Sequence, residues 1–161
     1  MIKLIEDNNV FEAISLMNKS TEDNNYYGYE RNEAIWIEYF LSLVKKQKEG
    51  SPHVLVIGDY IDDKLRGFLS ASTFSNYYNK QWVMDVKDCI VDHNYNNAYV
   101  VYRLFDHMME HIKKHGGKHW RADSVRNEEE AYKYGRFLQK RYNAELHVSV
   151  RGVIQENKDE L

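Results

Sequence analysis

The sequence predicts a single mixed α/β (α+β) domain with helices on both faces of a sheet of six to seven strands. An alternating stretch at 81–91, an amphipathic helix that begins near Ala98 and a β-prone stretch at 118–125 follow one another. A strand, a helix and a strand in this order form a βαβ unit, whose strands run parallel and whose helix packs on the sheet. With 161 residues the chain is long enough for one core and short for two, so we expect one domain over residues 1–161.

Composition argues against several classes of protein. Acidic and basic residues are interspersed and the formal charge is −3, so we expect no nucleic-acid partner. No apolar run reaches the roughly 20 residues of a membrane span, and the N-terminus lacks the apolar segment of a signal peptide. Cys89 is the single cysteine, which excludes an internal disulfide and predicts a cytoplasmic protein. Abundant Tyr, Asn and Lys suggest an AT-rich gene, such as some phages and low-GC bacteria carry.

The residues ahead of the βαβ unit predict a strand, two helices and three antiparallel strands. Apolar residues at three- and four-residue spacing indicate the helices, as in the stripe of Ile37, Phe40, Leu41 and Val44. Turn residues between β-prone runs indicate a hairpin. The predicted elements are a strand at 2–6, a helix from Val10 that Asn9 caps, a loop at 20–29, a helix at 30–49, strands at 53–60 and 65–74, and a turn at 77–79.

The βαβ helix and the segments after it complete the predicted order. On that helix, one side carries Val101, Leu104, Phe105, Met108 and Ile112, and Gly116 stops it. A further helix has an acidic first turn and a basic last turn, and an alternating stretch at 144–151 predicts a closing strand. In that helix Asn127 is the predicted cap, and the predicted buried residues are Ala131, Tyr134 and Leu138.

The resulting order, β-α-α-β-β-β-α-β-α-β, resembles the GNAT superfamily of acyl-CoA-dependent N-acyltransferases over nearly the whole chain. In that family the fourth strand runs into a loop of the form Arg/Gln-x-x-Gly-x-Gly/Ala. Bare amides at the start of the next helix then hold the pyrophosphate of coenzyme A. Here the stretch 91–101 stands in that place, and Val91 and Tyr95 fit the family pattern.

The same stretch departs from the family pattern at four positions. Asn97, Tyr99 and Val101 occupy the glycine positions, and Asn96 replaces the basic residue. Side chains there would fill part of the space that the phosphates need. The resemblance implies acetyl-CoA or another acyl-CoA as the cofactor. The implied contacts are Ile90, Val91, Asn96, Asn97, Ala98, Tyr99, Val100, Val101 and Asn127.

The resemblance also implies two catalytic residues. Asn127, Ala131 and Tyr134 are similar to the family's Asn-x-x-Ala-x-x-Phe-Tyr segment with one residue of slippage. This similarity makes Tyr134 the general acid that protonates the leaving thiolate, although Tyr134 also fits a core role. Asp88, late on the fourth strand, is the candidate base that deprotonates the amine, and its other interpretation is a solvated strand carboxylate.

A second motif points to different chemistry. His107, Glu110 and His111 form His-x-x-Glu-His, the inverted zinc-peptidase pattern, and His115 and His119 are close in sequence. Seven histidines in a short chain make a chance match easy, and this helix already has a core-facing side. We therefore expect no metal site.

Three classes of function follow from these patterns. The first is an N-acyltransferase that acts on a small-molecule or protein amine, and acidic Glu22, Asp23 and Glu30 would favour a cationic acceptor. The second is a catalytically inactive GNAT-fold protein that serves as a structural or interaction component, for example of a phage. The third is a metal-dependent hydrolase. We expect no membrane partner, and the residues leave the oligomeric state open.

Overall fold

A computed structural model describes residues 1–22, 32–75, 81–95, 97–123 and 128–145. The chain divides into two compact units, Met1–Arg126 and Asn127–Leu161. Within the described residues the elements follow the predicted order as far as the last helix. They are β1 (Ile2–Leu4), α1 (Val10–Glu22), α2 (Glu33–Lys48), β2 (Val54–Ile61), β3 (Lys64–Ser75), β4 (Trp82–Val91), α3 (Asn97–Lys114), β5 (His119–Ala122) and α4 (Glu128–Tyr142).

The described strands form one five-stranded sheet in the order β1-β2-β3-β4-β5. The first four strands pair antiparallel, and β4 pairs with β5 in parallel, which confirms the predicted mixed sheet and βαβ unit. The count is below the predicted six to seven strands. The predicted closing strand falls mostly outside the described residues, as the turn at 77–79 does entirely, and Ala144 and Glu145 are not in a strand.

A two-residue turn joins β2 to β3 and fixes their register. Ile61 pairs with Lys64, so only Asp62 and Asp63 lie between the strands. Both aspartates have positive φ, 48° and 56°, as tight hairpin turns require. The predicted hairpin is confirmed.

Helices cover both faces of the sheet, as predicted. One core lies between α1, α2 and the sheet face that carries Val56 and Phe68. Neighbouring residues of a strand point to opposite faces, so Gly67 lies on the other face. There, a Cβ at Gly67 would be 2.9 Å from Val100 Cγ1, so α3 sits closer to β3 than a larger residue would permit.

Several local predictions were wrong. Leu41 is 43% exposed, and Leu43 takes its predicted place in the core; on α3, Val100 is fully buried and Val101 only partly. Residues 20–22 belong to α1 rather than to a loop. The side chain of Asn9 accepts a hydrogen bond from Glu6 N (2.7 Å) and so acts ahead of the helix.

Two features of the helices complete the description. Asn32, which sequence reasoning missed, caps α2 because its Oδ1 accepts a hydrogen bond from Ile35 N (3.1 Å). Gly116, which follows α3, has a φ of 75°, and this agrees with the predicted stop of that helix. Among the described helices, none is long and apolar enough to cross a membrane.

Candidate functional site

The parallel strands β4 and β5 run side by side over a short distance. Residues 83–86 of β4 pair with residues 119–122 of β5, while β4 continues to Val91. From Lys87 onward, β4 has no β5 partner within the described part of the chain. The helix α3 begins at this end of β4, with Asn97. The carboxyl ends of parallel strands, beside a helix N-terminus, are where α/β proteins commonly bind ligands, and we refer to this end of the β4–β5 pairing as the opening.

A β-bulge marks the point where the pairing ends. Ser70 of β3 pairs with Asp88, and Ala71 pairs with Val86, which leaves Lys87 as an extra residue on β4. A bulge bends its strand and redirects the neighbouring side chains. The bend at Lys87 therefore falls directly after the last described β4–β5 pair, Val86 with Ala122.

Asp88, the predicted base, follows this bulge directly. Trp36 Nε1 on α2 donates hydrogen bonds to Asp88 Oδ1 (3.2 Å) and Oδ2 (3.4 Å), and Ser70 Oγ donates to Oδ2 (2.6 Å). The side chain is half-buried, so its interpretation as a solvated carboxylate does not hold. Donors from two elements fix the orientation of this carboxylate on the sheet face that α1 and α2 cover.

The predicted cofactor-binding stretch lies beside the opening, and its residues differ in accessibility. Ala98 is exposed at the start of α3, Val91 is half-buried, and Val100 is fully buried against the sheet. Ile90 belongs to the core under α1 and α2, so only its backbone is available to a ligand. Asn96 and the side chain of Asn97 lie outside the described residues.

The side chain of Tyr99, which occupies a glycine position of the family pattern, contacts two arginines on the β3 side of α3. Arg103 Nη1 donates a hydrogen bond to the Tyr99 hydroxyl (3.2 Å), and Arg66 Cζ lies 5.9 Å from the centroid of the Tyr99 ring. Arg66 belongs to β3, which lies on the side of β4 opposite to β5. The ring of Tyr99 therefore contacts the β3 side of α3 rather than the space between β4 and β5.

A buried carboxylate anchors this arrangement, and sequence reasoning missed it. Asp59 on β2 is fully buried, and its carboxylate pairs with Arg66 Nη2 (2.7 Å) and Arg103 Nη2 (3.2 Å). A buried charge is tolerated when it is paired and hydrogen-bonded. The pair of arginines ties the first turns of α3 to β2 and β3.

The loop between β4 and α3 is held by Asp92. Its Oδ1 accepts a hydrogen bond from Asn94 N (3.0 Å), and its carboxylate lies 3.5 Å from Lys19 Nζ on α1. Partial burial by itself would raise the pKa of Asp92, but the Asn94 amide and the Lys19 charge hold the pKa below its ordinary value. The loop that precedes α3 is therefore attached to α1.

An ion-pair cluster bridges β4 and β5 near the end of their pairing, and sequence reasoning missed it. Arg121 of β5 donates from Nε to Asp85 Oδ1 (3.0 Å) and from Nη2 to Oδ2 (3.2 Å). Lys87 Nζ donates to Asp85 Oδ2 as well. Burial alone would raise the pKa of Asp85, but hydrogen bonds from Arg121 and Lys87 lower the pKa below its ordinary value.

The histidines of the α3 motif have other contacts in the structure. His111 Nε2 lies 3.0 Å from Pro52 O, and the rings of His111 and His115 are 4.5 Å apart. Burial lowers the pKa of His111, which favours its neutral form. In the part of the chain that the structure describes, no group of three or more His, Cys, Asp or Glu residues is arranged to hold a metal. The hydrolase hypothesis has no support in this geometry.

The second predicted catalytic residue belongs to the second compact unit. Tyr134 lies half-buried on α4. Asn127 lies outside the described residues. The roles of both stay predictions.

Solved acetyltransferase structures match this arrangement over nearly their whole length. An aminoglycoside acetyltransferase from an uncultured soil metagenomic sample, in complex with trehalose, has a TM-score of 0.69 at 15% identity, covering 97% of this chain and 96% of that one. The ribosomal-protein-alanine N-acetyltransferase from Brucella melitensis biovar Abortus 2308 has a TM-score of 0.66 at 15% identity, covering 97% and 99%. The chain has the GNAT acetyltransferase fold.

The GNAT fold by itself does not establish an activity. A transcriptional regulator from Bacillus halodurans C-125 matches with a TM-score of 0.68 at 13% identity, covering 97% of this chain and 98% of that one. No protein-family model and no curated protein matches the sequence. Because one fold hosts several functions, the activity has to be argued from the residues at the opening.

Proposed function

We propose that the protein is an N-acyltransferase that transfers an acetyl or other acyl group from acyl-CoA to an amine. The observation that carries this proposal is the placement of Asp88, which Trp36 and Ser70 orient where the pairing of β4 and β5 ends. A carboxylate that is oriented beside such an opening is suited to accept a proton from an ammonium group, directly or through water. The acceptor would bind on the sheet face that α1 and α2 cover.

The residues at the start of α3 fit an acyl-CoA. Ala98 is small and exposed, and the contacts of Tyr99 with Arg66 and Arg103 hold its ring on the β3 side. The amides of this first turn, with those of Asn96 and Asn97, would hold the pyrophosphate, because helix N-terminal N–H groups attract phosphate. When bound, the cofactor supplies the thioester carbonyl that the amine attacks. Val100 and Val101 would contribute backbone atoms rather than side chains.

In this proposal the proton steps are divided between two residues. Asp88 takes the proton that the acceptor amine must lose before it attacks. Tyr134 would give a proton to the leaving thiolate, and Asn127 would contact the cofactor, as the family resemblance implies. Aspartate carboxylates and tyrosine phenols both serve as general acids or bases in enzymes.

A transfer assay with acetyl-CoA and a panel of amines tests this proposal. Asp88→Asn keeps the shape and the acceptor oxygen of the side chain but removes the base. We expect its kcat/KM to fall by about a hundredfold or more, since general-base catalysis typically contributes a factor of about 10²–10⁴, while the affinity for acetyl-CoA stays unchanged. Asp63→Asn is the matched control, because Asp63 lies in the exposed β2–β3 turn, where asparagine tolerates positive φ. Equal activity of Asp88→Asn and wild type would refute the assigned role.

The second candidate is the same fold without chemistry, as a structural or interaction component. It is favoured by Asn97, Tyr99 and Val101, which replace three glycines of the family pattern. Two measurements distinguish the candidates. The second candidate predicts that the protein binds neither CoA nor acetyl-CoA at millimolar concentration. It also predicts that the protein is isolated in a stable complex with another protein.

The acceptor belongs to the same proposal. A second structure of the soil metagenomic aminoglycoside acetyltransferase contains sisomicin, with a TM-score of 0.68 at 15% identity. We therefore propose a small-molecule amine as the first acceptor class to test, ahead of a protein amine, and an aminoglycoside belongs in the amine panel.

A further inference from the structure

Two cationic side chains lie near the end of the β4–β5 pairing, and the proposed transfer step does not use them. Lys87 is the bulge residue next to Asp88, and Arg121 is paired with Asp85 across the two strands. Both donate hydrogen bonds to the carboxylate of Asp85. Two cations share one carboxylate here, and the charge of Asp123 also acts on Arg121.

The two cations are held by a buried carboxylate, and their own side chains are partly exposed. The side chain of Asp85 is 8% exposed, whereas those of Lys87 and Arg121 are 33% and 53% exposed. Arg121 Cζ also lies 4.9 Å from the centroid of the Phe74 ring, which holds the guanidinium on another side. Arginine has five N–H groups, and Asp85 takes two of them. The other three have no hydrogen-bond partner among the described residues and face the proposed acceptor site.

The cluster lies on the same sheet face as Asp88. Ser70 pairs with Asp88 and Ser72 with Asp85, and side chains two residues apart on a strand point to the same face. Contacts with α2 agree with this, because the Tyr39 hydroxyl lies 3.1 Å from Ser72 Oγ, just as Trp36 reaches Asp88. The base and the cations are therefore adjacent on the face proposed for the acceptor.

We infer that Lys87 and Arg121 bind an anionic group of the acceptor, which makes the acceptor an amine that also carries a carboxylate. An amino acid or an acidic peptide has this chemistry. A guanidinium held by a carboxylate and a ring is preorganised for a bidentate contact with a second carboxylate. Two cations at the acceptor site also disfavour a polycation such as an aminoglycoside over an amine that carries a carboxylate. This inference rests on the proposed function, because it names the acceptor of that reaction.

The phosphates of acyl-CoA are the other source of anionic groups. The amides proposed to hold them belong to α3, which packs on the opposite face of the sheet, against Gly67. The acceptor is therefore the better match for cations on the face of Asp88. The test must nevertheless separate the two sources.

The experiment compares amines that differ only in one carboxylate, such as an amino acid and its carboxamide. In calorimetric titrations of the cofactor-free protein and in the transfer assay, we expect the wild type to prefer the carboxylate form by about tenfold, or about 1.4 kcal/mol. Arg121→Gln and Lys87→Gln should remove most of this preference and leave the affinity for acetyl-CoA unchanged. Arg121→Lys, which keeps the charge, should retain part of it, and Lys64→Gln in the β2–β3 hairpin is the matched control. Melting temperatures establish that each variant is folded.

Each other outcome overturns the inference. Equal affinity for the carboxylate and carboxamide forms, or a preference for an aminoglycoside, removes the assigned acceptor. A loss of acetyl-CoA affinity in Arg121→Gln assigns the cations to the cofactor instead. Failure of the proposed function is distinguishable, because it appears as absent acetyl-CoA binding, whereas the titration of the cofactor-free protein still measures the carboxylate preference.

Discussion

Trp36 Nε1 donates a hydrogen bond to Asp88 Oδ1 over 3.2 Å and thereby joins α2 to the bulge of β4. The indole ring is itself supported by Phe40, with ring centroids 5.0 Å apart. The contact joins residues 52 positions apart in the chain. It links the core under α2 to the carboxylate on which the proposed chemistry depends.

Trp36→Phe should weaken both stability and activity. Phenylalanine keeps a ring against Phe40 but removes the N–H that Asp88 accepts. Hydrogen bonds to charged groups contribute about 1.5–3 kcal/mol, and we expect a loss of free energy of unfolding near the lower end because Ser70 still donates to Asp88. Urea unfolding measures the loss, and the transfer assay should show a lower kcat with unchanged acetyl-CoA affinity. An unchanged kcat would mean that Asp88 does not need this donor.

Tyr99→Gly tests whether the missing glycines block the cofactor. Because the ring of Tyr99 contacts Arg66 and Arg103 on the β3 side, its removal should change acetyl-CoA affinity less than about threefold, or about 0.7 kcal/mol. The free energy of unfolding should fall by about 1 kcal/mol, since glycine is a poor helix former and a cation–π contact is lost. A tenfold gain in affinity by calorimetry would instead show that Tyr99 obstructs the phosphates.

Asp59→Asn should be among the most destabilising single substitutions in the sheet. The change leaves Arg66 and Arg103 without the buried carboxylate that they share. Breaking a buried ion pair typically costs about 3–5 kcal/mol, which chemical denaturation would detect. Asp62→Asn provides the control, because it changes the same residue type in an exposed turn with positive φ and should alter stability by less than about 0.5 kcal/mol. Similar effects of both variants would contradict the anchoring role of Asp59.

Tyr60→Phe should preserve or improve stability. The Tyr60 hydroxyl is buried and has no hydrogen-bond partner among the described residues, and removal of such a group is neutral or favourable by up to about 1 kcal/mol. Burial, and then the charge of Glu12, raises the pKa of Tyr60 to about 12 from 10.0. Because the folded state holds this proton more tightly, the stabilisation is complete below pH 10 and is lost as the pH rises towards 12. Denaturation of the variant should lack this alkaline loss, and an identical loss in both proteins would assign it to another group.

The order of elements could be predicted because it depends on local periodicity. The apolar spacing on α3 and the hairpin turn are encoded by neighbouring residues. The hairpin is confirmed, as are four of the five apolar positions, Leu104, Phe105, Met108 and Ile112. Periodicity could not show that Val100 rather than Val101 lies in the core, because this depends on the close approach of α3 to Gly67.

The polar groups of the candidate site were predicted less completely. Asp88 was identified, but its donors come from α2 and β3, which periodicity cannot place beside it. Asp59 and Asp85 each lie in an apolar strand, and their burial depends on arginines that are distant in sequence. The bulge at Lys87 has no glycine or proline to mark it, so it emerged only from the strand register.

Calorimetric titration of the purified protein with acetyl-CoA measures whether the start of α3, beside the end of the β4–β5 pairing, binds an acyl-CoA. We expect saturable binding with one molecule per chain, unchanged in Asp88→Asn because Asp88 acts on the acceptor. The absence of any heat of binding for acetyl-CoA and CoA at millimolar concentration would contradict it.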